Sequence, residues 1–134
     1  HPSCFATVDG VLCQRHDRIV QFVESLDENL EYFDHKIVSD EIVIYAKFKR
    51  GQIYCPRCGS IARRYHGVYE RSCQDLPLLG KKSRIVISVR KMHCPNSECS
   101  HTTFAEPCNF LPRRGKQTKR LLAEMERMTK KESL

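Results

Sequence analysis

The chain has 134 residues, a formal net charge of +7, eight cysteines and no tryptophan, which allows one ordinary domain, or two small ones if something besides a large core stabilises them. No apolar run approaches the eighteen or so residues of a membrane span, and the opening HPSCFATVDG lacks the basic lead and apolar run of a secretory signal. A cytoplasmic, reducing setting is therefore expected, and it favours metal or free thiols over disulfides.

A first residue other than Met fits a processed or engineered piece of a longer protein, and Cys4 and Cys13 in residues 1–15 are too isolated to read. From Asp17 to Leu30 the apolar residues Ile19, Phe22, Val23, Leu26 and Leu30 recur at helical spacing. They predict one amphipathic helix with a core-facing stripe and Asp17 as N-cap. EYFDHKIV and EIVIYAKF are β-rich and separated by Ser39-Asp40, which predicts a hairpin running into CPRCG. Asp75-Leu76-Pro77 and Gly80 predict turns between strands. RIVISVRKMH, residues 84–93, alternates, with Ile85, Ile87 and Val89 on one face and Arg84, Val86, Ser88 and Arg90 on the other. After a proline-rich linker from Pro107 to Pro112 and the basic run RRGKQTKR, a helix is predicted from Gln117 onward, striped with Leu121, Leu122, Met125 and Met128.

The cysteine spacing is the sharpest chemical signal. CPRCG places Cys55 and Cys58 three positions apart with a proline and a glycine suited to a tight turn, so two thiolates can converge on one cation. HCPNSECS offers Cys94 and Cys99 as a looser second knuckle at the end of a strand. Four thiolates close a tetrahedral site with no position left for water, so the expected cofactor is one structural Zn2+. Replacement of a thiolate by His93, His101 or His66 stays open. A redox pair would need a βαβ context, which is missing, and Cys73 and Cys108 have no partner at knuckle spacing. The expected fold is small α+β, a β-hairpin plus a zinc ribbon flanked by an N-terminal and a C-terminal helix. Its expected divisions are 1–54, 55–104 and 105–134.

Charge is segregated along the chain. Residues 1–46 carry nine acidic side chains against three basic, a net −6, whereas residues 47–134 carry seven against twenty, a net +13. Clustered Lys and Arg bind phosphates and release counterions, so the basic half points to a nucleic-acid partner. The candidate DNA-binding residues are Arg63, Arg64, Arg71, Lys81, Lys82, Arg84, Arg90 and Lys91, continued by Arg113, Arg114, Lys116, Lys119 and Arg120. Tyr65 and Tyr69 lie among them and serve equally well for stacking or for packing on the hairpin. No catalytic residue is expected, because Asp75 has no second carboxylate beside it for acid/base or two-metal chemistry.

Taken together, CPRCG, HGVYERSCQDLPLLGKKSRIVISVRKMHC and CSHTTFAE resemble the N-terminal zinc-binding region of transposases of the ISL-three insertion-sequence family. The resemblance runs from about Tyr32 to Leu122, and the knuckles with R-x-x-x-D-L-P, the Arg-rich strand and F-A-E are together far more specific than any one part. It implies that Cys55, Cys58, Cys94 and Cys99 are the ligands and that the helix near Gln117 begins a helix-turn-helix. In that family an RNase-H-like domain with metal-binding acidic residues follows. Recognition helix and catalytic domain are missing from this sequence, so the expected function is a DNA-binding module for transposon terminal inverted repeats, without catalysis of its own. A homo-oligomer stays open. A protein-interaction or dimerisation module using the acidic half, or an RNA-binding ribbon, is the alternative.

Overall fold

The computed structural model describes residues 10–100 and 102–132. Helix α1 (Gly10–Leu26) precedes β1 (Leu30–Val38), β2 (Glu41–Phe48), β3 (Ile53–Tyr54) and β4 (Ile61–Ala62). Then come β5 (Arg64–Leu78), β6 (Lys81–His93), β7 (Thr103–Ala105) and α2 (Lys119–Glu132). Five strands form one sheet in the order β1-β2-β6-β5 with β7 also on β6, while β3 and β4 make a small ribbon of their own. The small α+β architecture is the one expected, and the main sheet runs across the sequence divisions at 54 and 104.

The β1-β2 hairpin turns at Ser39-Asp40, where Ser39 takes a φ of 54°. A second, longer antiparallel pair joins β5 to β6 through Leu79 and Gly80, at φ of 54° and 72°. Two positive-φ residues in a tight turn match the right-handed twist of the strands, and glycine takes that conformation without steric cost. Asp75-Leu76-Pro77 is not the turn itself. These residues lie inside β5 at an irregularity between Asp75 and Leu78, a place where a strand accepts proline.

Strand β2 is parallel to β6, with Lys47 opposite Ser88. This pairing decides where the cysteines go. Both strands rise toward the same end of the sheet, so Cys55, shortly beyond β2, and Cys94, directly after β6, are delivered to one place. Strand β7 then pairs with β6 at Lys91 to His93, continuing along the edge that β2 leaves free beyond Ser88.

The core lies on one sheet face. Ile42, Ile44 and Ala46 of β2, with Ile85, Ile87 and Val89 of β6, are buried against Ile19 and Val23 of α1 and Phe110 and Leu111 of the linker. Each fully buried Ile or Val contributes about 1.5–3 kcal/mol relative to exposure. The sequence reading carries the first helix to Leu30, but α1 stops at Leu26 and Leu30 opens β1. The Asp27 carboxylate accepts the Asn29 amide (2.8 Å) and its carbonyl accepts that of Leu30 (3.1 Å), an Asx turn that competes with further helix. Leu30 is buried as expected, from a strand and not a helix face. Asp17 lies within α1 and not at its cap.

Two carboxylates with no side-chain exposure hold the sheet to its surroundings. Asp75 Oδ1 accepts the Thr118 hydroxyl (2.7 Å) and Arg120 Nε (2.9 Å), while Arg120 also donates to Ser25 Oγ and the Phe22 carbonyl of α1. Thr118 caps α2 through its own Oγ1, which accepts the Leu121 amide, so the helix starts at Lys119 and not at Gln117. Of the expected α2 stripe only Leu121 is buried; Leu122, Met125 and Met128 are exposed.

Glu106 is the second such carboxylate. It accepts Arg90 Nε at 3.0 Å and Arg90 Nη2 at 2.7 Å, and lies 3.3 Å from Arg50 Nη1. Arg50 also donates to the Pro107 carbonyl, and Arg90 to the Arg50 carbonyl, so one carboxylate fixes the exits of β2 and β7 against β6. Removing one partner of a buried pair leaves uncompensated charge and typically costs about 3 kcal/mol or more. Glu106→Ala is therefore expected to lower the urea-unfolding free energy of the zinc-loaded chain by about 3 kcal/mol, whereas Glu98→Ala, at an exposed site, should change it by no more than about 0.5 kcal/mol.

Candidate metal centre

The first knuckle is built by β3 and β4, which pair Ile53 with Ala62 and Tyr54 with Ile61. Between them the Cys55 amide donates to the Ser60 carbonyl (2.8 Å) and the Gly59 amide to the Cys55 carbonyl (2.9 Å). Gly59 sits at φ 79°, a left-handed conformation that side-chain-bearing residues rarely adopt, so the glycine of CPRCG has a backbone reason. The second knuckle is shaped by Asn96, whose carbonyl accepts the Cys99 amide (3.1 Å) and whose side chain accepts the Glu98 amide (3.0 Å). The Cys94 amide donates to Thr102 on the return toward β7.

These turns bring the Sγ atoms of Cys55, Cys58, Cys94 and Cys99 within 4.8 Å of one another. Cys55 lies 3.8 Å from Cys99, and Cys58 lies 3.5 Å from Cys94. Thiolates at tetrahedral corners about 2.3 Å from zinc stand about 3.8 Å apart, so donor type and spacing both fit one zinc ion. Ile53, Ala62, Met92 and Phe104 form a small apolar cluster with Cys55, against which Cys94 and Cys99 pack. The cluster is separate from the main core.

The local fields prepare thiolates unevenly. The hydroxyl and then the amide of Ser60 hold the Cys58 thiol down to about 6, and the Cys58 amide lowers that of Cys55. At Cys94 the Asn96 amide favours the thiolate, but burial and hydrogen bonding to the other three cysteines push it up to about 12. Four neighbouring thiols resist joint ionisation without a cation between them, and a divalent metal removes that penalty. When bound, zinc supplies a structural crosslink between the two knuckles.

The alternative histidine ligands lie outside this set. His66 Nδ1 and His93 Nε2 are 3.0 Å apart and face each other edge-on, and among the described residues the metal-holding group contains only the four cysteines. His101 lies outside the described residues. Cys73 is buried in the main core, where desolvation pushes its thiol up to about 12, and Cys108 packs on that core.

The basic residues divide into two kinds. Arg63, Arg64, Lys82, Arg84, Lys91, Arg113, Arg114, Lys116 and Lys119 are exposed, and Lys81 is half-buried. Arg84 pairs with Glu41 at 3.3 Å. Arg71 donates to the carbonyls of Pro112 and Gly115, bracing the linker against β5. Arg90 and Arg120, read from sequence as surface cations, close the internal carboxylates Glu106 and Asp75. Sequence reading missed the structural work of Glu106 and gave Asp75 only a place in a turn, although both sit in the distinctive F-A-E and D-L-P stretches. Isolated carboxylates in a strongly basic segment were the available signal.

Zinc-loaded chain is expected to hold about one zinc, released on acidification as each thiolate takes a proton. Elemental analysis should find that Cys94→Ser lowers the bound metal well below the parent value while Cys73→Ser does not.

Residues 51–99 match the family model described as the zinc-finger of transposase IS204/IS1001/IS1096/IS1165. No curated protein and no solved structure matches the chain. Residues 51–99 are thus similar to the zinc-ribbon domain of these transposases, and Cys55, Cys58, Cys94 and Cys99 are placed to bind one metal ion.

Proposed function

We propose that this chain is the DNA-binding module of a transposase, recognising the terminal inverted repeats of its element while chemistry belongs to a separate catalytic domain. The observation that carries the reading is the coincidence of a transposase-type zinc ribbon with the half of the chain that holds a net +13. In this reading zinc orders the knuckles and makes no contact with substrate. Arg63, Arg64, Lys91, Arg113, Arg114, Lys116 and Lys119 position duplex DNA by its phosphates, with Lys81 and Lys82 at the far turn of β6 as a further contact. Phosphate contacts fix register but carry no sequence information, so readout of the repeat falls to base-edge contacts, which a recognition helix following α2 would supply.

A second reading, a docking module for another protein, is favoured by a different observation. Strand β1 is a sheet edge in the acidic half and exposes Phe33, Ile37 and Val38. Such an edge can accept a partner strand. Salt separates the two. Binding of this chain to random-sequence duplex DNA, followed by fluorescence anisotropy, should weaken steeply as salt rises, and duplex should be preferred over single-stranded RNA. Arg113→Ala with Arg114→Ala should weaken binding to every duplex without lowering zinc content, whereas Lys36→Ala should do little. No measurable affinity for duplex at low salt would favour the docking reading.

A further inference from the structure

Strand β5 is the last strand of the sheet, and among the described residues no strand pairs with its outer side between Arg64 and Ser72. Three concavities follow one another along it. The first, about 620 Å³ beside the zinc knuckle, is lined by Arg63, Arg64 and His93. The second, about 430 Å³, is lined by His66, Val68, Tyr69 and Lys91. The third, about 820 Å³, lies between β5 and the 114–117 linker and is shared by Tyr69, Glu70, Arg71, Arg84, Arg114 and Lys116. Tyr69 lines both the second and the third, so these two are contiguous.

We infer that these concavities form one track that seats the sugar-phosphate backbone of duplex DNA along β5, from the zinc knuckle to the basic linker. The inference rests on the DNA-binding reading above and adds where the duplex lies. Charge supports it, because among the described residues Arg63, Arg64, Lys91, Arg114 and Lys116 are exposed and engaged in no ion pair. Glu70 is the sole carboxylate lining the three. Shape supports it too. The edge strand exposes Tyr65, Val68 and Tyr69 between two cationic ends, apolar side chains suited to contact sugar faces.

The spacing gives the track a length. Arg64 lies opposite His93 and Arg71 opposite Ile87, six steps along β6, or about 20 Å at strand rise. The duplex rises about 3.4 Å per nucleotide but its backbone winds around the axis, so neighbouring phosphates of one strand stand about 7 Å apart and the two cationic ends contact phosphates about three nucleotides apart. The linker end is held in place by the fold. Gln74 donates its amide to the Lys116 carbonyl and accepts that of Thr118, which adds the linker to the edge of β5, and Arg71 fastens the Pro112 and Gly115 carbonyls.

The test is phosphate-ethylation interference on a bound duplex with the zinc-loaded chain, joined to salt titrations of variants. The expected pattern is two protected phosphate clusters about three nucleotides apart on one strand. Arg63→Ala with Arg64→Ala should erase one cluster, and Arg114→Ala with Lys116→Ala the other, each pair reducing the salt slope by about two. Zinc content and circular dichroism should match the parent. Protection by one cluster only, or parental slopes in both pairs while Lys81→Ala with Lys82→Ala weakens binding, would overturn the track and leave the DNA-binding reading standing. Absence of any duplex binding by the parent chain, or stronger binding to RNA, would overturn both. The interference pattern of the parent needs no substitution, so it decides even where a variant fails to fold.

Discussion

The structure depends on the unbroken run of β6. This single strand hydrogen-bonds to β5 along its length, to β2 in parallel over its first half, and to β7 beyond that. One strand therefore serves both as the centre of the main core, through Ile85, Ile87 and Val89, and as the lead into the second knuckle through Met92 and His93. Parallel pairing with β2 sends both knuckles to the same end of the sheet. An antiparallel arrangement of the same two strands would send Cys55 and Cys94 to opposite ends, and no turn chemistry within CPRCG or CPNSEC could reunite them. The metal site is a consequence of sheet topology as much as of cysteine spacing.

The second organising feature is the treatment of charge in a basic protein. Burying a carboxylate is costly unless it is paired and hydrogen-bonded, and both Asp75 and Glu106 are fully supplied with arginine partners. These pairs sit where elements meet. Glu106 lies at the seam between β2 and β7 on β6, and Asp75 at the contact of β5 with α1, α2 and the linker. A buried ion pair is weak evidence of net stability, but its geometry is demanding, and here it fixes the angle at which helices and linker leave the sheet. Arg120 adds a stacking contact 4.6 Å above the Phe22 ring, so one guanidinium binds α1, α2 and β5 together.

In the proposed reading, function and stability draw on different members of the same residue type. Arginines that meet a carboxylate inside the fold are committed to it. Those on the outer edge of β5 and on the 113–116 linker remain in water, where a polyanion can reach them. The zinc site sits at one end of that edge. Four thiolates around a bound divalent ion would carry net negative charge, which neighbouring Arg63 and Arg64 would offset.

The sequence by itself determined the local features whose signal lies within a few residues. The knuckle pairs, the Ser39-Asp40 hairpin turn, the alternation of β6 and the amphipathic stripe of α1 follow from spacing and side-chain type, and the charge imbalance is visible by counting. It also carried enough family-specific pattern to point to the transposase zinc ribbon that residues 51–99 match. Tertiary structure decided what depends on partners far along the chain. Periodicity placed Leu30 on a helix, yet the Asp27 turn and the sheet make it a strand residue. The same one-dimensional reading could not separate Arg90 and Arg120 from Arg64 and Arg114. Exposure of a cation depends on whether a carboxylate sixteen or forty-five residues away folds onto it, and only the packed chain brings Glu106 and Asp75 there.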